Sequence, residues 1–98
     1  MLERDYQAKL IKKIEKRLSG CLVLKNDTSY LQGIPDLLIL YNDRWAMLEV
    51  KNSAQASHQP NQDYYVDMLD RMSYAAFIFP ENEEEILGEI QRALQSDW

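Results

Sequence analysis

Apolar and polar positions change rhythm several times along the 98 residues. Tyr6, Leu10, Ile11, Ile14 and Leu18 recur at helical spacing, which predicts an amphipathic helix over residues 2–19 closed by Gly20. Residues 21–26 read as a strand, Asp27-Thr28-Ser29 as a turn, and Tyr30 to Gly33 as a loop. Two short runs rich in Ile, Leu, Val and aromatics follow, separated by the polar step Asn42-Asp43-Arg44. The first opens with Pro35-Asp36 and the second ends with Glu49-Val50-Lys51, the signature of a hairpin. After a polar loop at 52–59, Pro60 suits the first turn of a helix whose stripe is Tyr65, Met68, Leu69 and Met72. Residues 74–79 read as a buried strand stopped by Pro80. Asn82 and Glu85 are spaced as a capping box for a last helix, with Ile86, Leu87, Ile90 and Leu94 on its buried side. The predicted order is αβββαβα in one domain over residues 1–98, a mixed sheet flanked by helices.

Strand parity carries this pattern towards chemistry. Glu49 and Lys51 share a face, because side chains alternate along a strand. With a two-residue turn at Asn42-Asp43, Tyr41 faces Arg44 and Asp36 falls opposite Glu49. A three-residue turn places Asp36 opposite Val50 instead. Carboxylates directly opposed on neighbouring strands repel one another. A fold that keeps them holds a cation between them or protonates one. Mg²⁺ needs only one or two carboxylates, with waters and substrate phosphate completing its shell. Lys51 on the same face can orient or help deprotonate an attacking water and stabilise charge on a phosphate. Two acids, a cation and a lysine suit phosphodiester hydrolysis. Taken singly, Glu-x-Lys is more often a solvated strand face, and Asp after Pro a turn residue.

Composition narrows the classes. No apolar run approaches the roughly 20 residues that span a bilayer, and no signal-peptide pattern opens the chain. The single Cys21 cannot form an intramolecular disulfide and begins an apolar run, which suits a buried small hydrophobe in a reducing, cytoplasmic setting. No Cys/His cluster supports zinc. The net charge of −5 weighs against a nucleic-acid binder, but its distribution is uneven. Residues 1–25 hold seven Lys/Arg against three acids, and the rest hold four against thirteen. Lys9, Lys12, Lys13, Lys16 and Arg17 lie mostly off the buried stripe of the first helix, so Lys9 and Lys13 are candidate phosphate contacts. An ordinary solvated helix face carries the same residues. His58, the only histidine, is expected to be a solvated loop residue, and Tyr64 and Tyr65 can stack on bases or pack in a core.

Pro35-Asp36, twelve intervening residues, then Glu49-Val50-Lys51 resembles the signature of the PD-(D/E)XK nuclease superfamily. The lead-in Gly33-Ile34-Pro35-Asp36-Leu37-Leu38 resembles more narrowly its VRR-NUC branch, and the likeness spans roughly residues 3 to 79. The resemblance implies a restriction-endonuclease-like α/β core, αβββαβ with a C-terminal helix. It implies an Mg²⁺- or Mn²⁺-dependent DNA endonuclease with metal ligands Asp36, Glu49 and the Val50 carbonyl, and Lys51 as the catalytic lysine. An acidic residue of the first helix joins the metal site in that family, and Glu3 matches it; Glu3 equally suits a helix N-terminus. A glutamine in the helix after the lysine strand packs near the site, and Gln62 matches it, although Gln59-Pro60-Asn61 replaces the usual Ser-Pro lead-in. Lys25 resembles a basic residue that reaches phosphate. Stand-alone members, frequent in phages and bacteria, are small homodimers that cut branched DNA, including four-way junctions. Two other readings stand beside this one: a non-catalytic nucleic-acid-binding or assembly module on a nuclease fold, and a small α/β protein–protein interaction domain.

Overall fold

The computed structural model describes residues 1–96. The elements are α1 (Glu3–Arg17), β1 (Leu22–Lys25), β2 (Leu37–Tyr41), β3 (Arg44–Val50), α2 (Gln62–Met72), β4 (Tyr74–Ile78), a single 3₁₀ turn (Pro80–Asn82) and α3 (Glu83–Gln95). The sheet order is β1-β2-β3-β4, with the first two pairings antiparallel and β3–β4 parallel. The predicted mixed α/β order is therefore observed. A tight turn at Asn42-Asp43 joins β2 to β3, the longer loop 26–36 joins β1 to β2, and α2 is the crossover that a parallel pair requires.

The hairpin turn has two residues. Tyr41 pairs with Arg44 and Leu37 with Leu48, so the same register carried one step further sets Asp36 against Glu49. Asn42 supplies the left-handed φ of 55° that so tight a connection needs. Alternation then divides the sheet. Leu37, Ile39, Ala46, Leu48, Val50 and Ile78 join Tyr6, Leu10 and Ile14 of α1 and Ile86, Leu87, Ile90 and Leu94 of α3 in the main core. The opposite face presents Trp45, Met47, Ala75 and Phe77 to Val66 and Leu69 of α2. Glu49 and Lys51 have the parity of this second face. No described helix is long and apolar enough to cross a membrane.

Three local expectations are corrected. Pro60 lies outside α2. Asn61, at a φ of 75°, precedes the first helical residue, Gln62. The buried stripe of α2 is Val66 and Leu69, while Met72 is 68% exposed. At 100° per residue Met72 lies about 60° from Leu69, outside the sector that meets the sheet. The Asn82–Glu85 capping box does not form. The Asn82 side chain turns back to the end of β4, where Oδ1 accepts from Phe79 N at 2.9 Å and Nδ2 donates to the Phe77 carbonyl at 3.1 Å.

Candidate functional site

β2 enters and β3 leaves at the same end of the sheet, and a polar cavity of about 510 Å³ opens there. Asp36, Glu49, Lys51, Gln62 and Glu3 line it, together with Thr28, Gln32, Gly33, Ser57 and Gln59. The residues expected to meet from strand parity do meet, and both helical candidates reach the same cavity. Lys9, Lys13 and Lys25 do not line it. Lys9 and Lys25 are exposed on α1 and β1, and the Lys13 ammonium pairs with Glu83 at 2.8 Å.

Glu49 is only 3% exposed and Lys51 5%. Gln62 Nε2 donates to Glu49 Oε2 at 3.1 Å, while Gln62 Oε1 accepts from Gln59 N at 2.8 Å. Both ends of this amide are used. The Gln59-Pro60-Asn61 lead-in is thus a working part of the site, since its backbone aims Gln62 at Glu49. Glu49 Oε1 is buried and has no hydrogen-bond partner among the described residues. Burial, then the Asp36 carboxylate, and more weakly Glu3 push the Glu49 carboxyl up to about 8, and Lys51 offsets only part of this. The Lys51 ammonium is 3.9 Å from Glu49 Oε2, too far for a hydrogen bond, and donates instead to the Ser57 carbonyl at 3.1 Å.

Asp36 is fixed by its neighbour strand, accepting at Oδ2 from Val50 N at 2.9 Å. Continuing the register sets Pro35 against Val50. Pro35 has no N–H, so the register offers the Val50 carbonyl no donor from that side. The Pro35 carbonyl is taken by Asn26 Nδ2 at 2.8 Å. The Pro-Asp step therefore does two local jobs: it ends the ladder and brings a carboxylate to the break.

The donor set fits a hard divalent cation. An orphaned carboxylate oxygen and a second carboxylate opposite it are oxygen ligands of the kind Mg²⁺ and Mn²⁺ take, whereas Val50, whose carbonyl the resemblance implies as a ligand, is buried and does not line the cavity. Among the described residues no group of three or more His, Cys, Asp or Glu side chains is placed to hold a metal. Asp36 and Glu49 stand opposite each other at the cavity, and Glu3, exposed on the wall, is not drawn into a three-carboxylate cluster with them.

The polar loop at 52–59 is anchored by contacts that its sequence pattern does not encode. His58 is not simply solvated. Its ring stacks on Phe77 at 4.1 Å and 10°, and Nδ1 lies 2.9 Å from Asp63. Its neighbour Ser57 thus presents a carbonyl to Lys51 from an anchored segment. Gly33 also approaches the lead-in to α2 closely. At a φ of 94°, an added Cβ would stand 2.6 Å from Asn61 Cβ and 2.9 Å from its carbonyl carbon. These are tertiary contacts with no local sequence signal beyond Gly33 and the Pro60-Asn61 step.

A solved VRR_NUC domain protein matches this architecture with a TM-score of 0.72, over 97% of this chain and 89% of that one, at 17% identity. The fold is that of a VRR_NUC domain. No protein-family model matches the chain, and no curated protein does. At this identity the likeness speaks for the fold, and the chemistry rests on the residues described above.

Proposed function

We propose that the protein is a metal-dependent, structure-selective DNA endonuclease using Mg²⁺ or Mn²⁺, a homodimer that resolves four-way junctions. The observation that carries the catalytic reading is the buried, unpartnered Glu49 Oε1 set against Asp36 on the strand face that also bears Lys51. Asp36, Glu49 and the Val50 carbonyl would hold the cation, with Glu3 at the wall. When bound, the cation supplies Lewis-acid activation of water and neutralises phosphate charge. Gln62 holds the Glu49 carboxylate in one orientation. Lys51, placed by Ser57, orients the attacking water and stabilises the charge that builds on the phosphoryl oxygens. Water oxygen bonds to phosphorus, the bridging P–O bond breaks, and the leaving oxygen takes a proton.

Homodimerisation has a candidate surface on the edge strand β1, where Leu22 is 55% and Leu24 41% exposed. An uncharged apolar patch meets its own copy across a two-fold axis without like-charge repulsion. A dimer presents two sites to one junction. Cys21, partly buried with its thiol pushed up by burial, fits a reducing cytoplasm.

The test is cleavage of a labelled four-way junction, with matched duplex and single strand, in Mg²⁺, Mn²⁺ and EDTA, together with the oligomeric state in solution. Paired nicks that require metal and Lys51 are expected. Absence of cleavage by folded, metal-supplied protein would favour the non-catalytic binding module.

A further inference from the structure

Tyr30 stands apart from the rest of the aromatic surface. It is 86% exposed, and its side chain meets no hydrogen-bond or ring partner among the described residues. The segment that carries it is nevertheless well held. Asp27 Oδ1 accepts from Ser29 N at 3.0 Å, Ser29 Oγ at 2.6 Å and Tyr30 N at 3.3 Å. These bonds draw the Asp27 carboxyl below the usual carboxylate range, with the Ser29 hydroxyl the largest cause. Backbone bonds from Tyr30 N and Leu31 N to the Asp27 carbonyl, and from Ile34 N to the Leu31 carbonyl, close the turn. Thr28 and Gln32, two residues to either side of Tyr30, both line the candidate cavity. A large amphipathic ring is thus displayed on a braced turn whose two feet form the cavity wall.

Charge does little for DNA binding at this mouth. The wall carries Glu3, Asp36 and Glu49 against Lys51. Lys13 and Arg17 are already paired with Glu83 and Glu84 on the α1–α3 side. Affinity here must draw on contacts that do not need a basic surface, and stacking of a nucleobase on an aromatic ring is one. A base inside a continuous duplex has both faces covered by its neighbours, whereas an unpaired base has a face to offer. Tyr64 is also exposed, but two residues beyond Gln62 it projects about 200° around α2 from the side chain that meets Glu49. Its ring packs edge-on against Tyr65 at 5.1 Å.

We propose that Tyr30 is a stacking platform for one unpaired nucleobase beside the scissile phosphate, so that this site selects DNA carrying an unpaired nucleotide at a branch point. The inference rests on the nuclease reading of the cavity and narrows its substrate.

The experiment uses the whole protein and three DNAs: a four-way junction with one unpaired 2-aminopurine at the branch, the fully paired junction, and a linear duplex. Binding and 2-aminopurine quenching are read with Ca²⁺ replacing Mg²⁺, and cleavage is read with Mg²⁺. Tyr30→Ala should weaken binding of the unpaired-base junction roughly tenfold and abolish the quench, leaving the other two DNAs within about twofold. Tyr30→Phe and Tyr30→Trp should restore both readouts. Equal loss on all three DNAs, or no loss on any, overturns the stacking role. If wild type cleaves and Tyr30→Ala is indistinguishable from it, the nuclease reading survives and this inference does not. If folded wild type neither binds nor cleaves any of the DNAs with metal, the nuclease reading itself fails.

Discussion

The α1–α3 seam and the cavity both bring carboxylates and cations together, and they differ in kind. Along the α1–α3 seam each acid has a base of its own. Glu83 accepts from Tyr6 Oη at 2.9 Å and from Lys13 Nζ at 2.8 Å, and Glu84 accepts from Arg17 at 2.7 Å, with Lys13 and Glu84 well exposed to water. At the cavity, Asp36 and Glu49 face one lysine that bonds to a carbonyl instead, and one carboxylate oxygen is buried with no hydrogen-bond partner among the described residues. The seam is a satisfied surface arrangement of the sort that stabilises weakly. The cavity arrangement costs folding free energy in the metal-free protein at neutral pH, since the buried Glu49 beside Asp36 must hold a proton that the unfolded chain has released. Departures from local satisfaction of this kind mark working sites.

The contrast is broken hardest by neutralising its buried half. Glu49→Gln removes the repulsion with Asp36 while keeping the shape, and Lys51→Ala removes the one cation. Both should lower single-turnover cleavage by about a hundredfold or more, the scale of losing a transition-state charge contact. Glu49→Gln should also raise the metal-free melting temperature. Wild-type cleavage by Glu49→Gln would remove this carboxylate from the chemistry.

Acidity provides the next test. The Glu49 carboxyl is raised from 4.5 in the unfolded chain to about 8 in the folded protein. The folded state therefore holds a proton that the unfolded state has released between these values. The sign follows: this group's favourable contribution is full below about pH 4.5 and is lost as pH rises through about 8. Metal-free stability should fall across that window by up to a few kcal/mol, and Glu49→Gln should flatten the slope. A divalent cation competes with the same proton. Mg²⁺ should thus raise the melting temperature more at about pH 8.5 than at about pH 6. Equal Mg²⁺ shifts at the two values would separate the cation from Glu49.

Gly33→Ala should come next in size. The added methyl meets Asn61 at 2.6 Å and must be carried at a φ of 94°. A loss of about 1 to 3 kcal/mol in urea unfolding is expected. Cleavage should fall with it, because Asn61 leads directly into Gln62 and so into its bond with Glu49. Retained stability would show that the two loops yield without strain.

The hairpin was legible because a period of two and an Asn-Asp turn leave few registers. Once the turn length is known, Asp36, Glu49 and Lys51 follow by counting. The buried stripe of α3 was legible because Ile86, Leu87, Ile90 and Leu94 are its only large apolar side chains. The α2 stripe was not. Met68 and Met72 are apolar enough to extend the pattern, and only the helix's position over β3 and β4 centres burial on Val66 and Leu69 in line with Gln62. The Asn82 capping box failed for a similar reason, since the side chain had a competing partner in the end of β4. The stack of His58 on Phe77 and the contact of Gly33 with Asn61 join residues distant in sequence, and no local pattern encodes them.

The smallest effects belong to the seam, and they bear on the basic helix. Lys13 has the sequence profile of a phosphate contact, yet its ammonium sits on Glu83. Lys13→Ala should cost no more than about 1 kcal/mol and change junction affinity by less than about twofold. Glu83→Gln should cost a little more than Lys13→Ala, because Glu83 also accepts from the largely buried Tyr6 hydroxyl. An amide oxygen can still take that bond, but it leaves no charge beside the phenol. Burial is the larger cause of the raised Tyr6 pKa and Glu83 the next. Ultraviolet titration of Glu83→Gln should therefore find the phenol lowered towards its ordinary range without reaching it. If Lys13→Ala weakens DNA binding more than it weakens the fold, the seam is part of the nucleic-acid surface, and its ion pairs are as available to function as the buried pair.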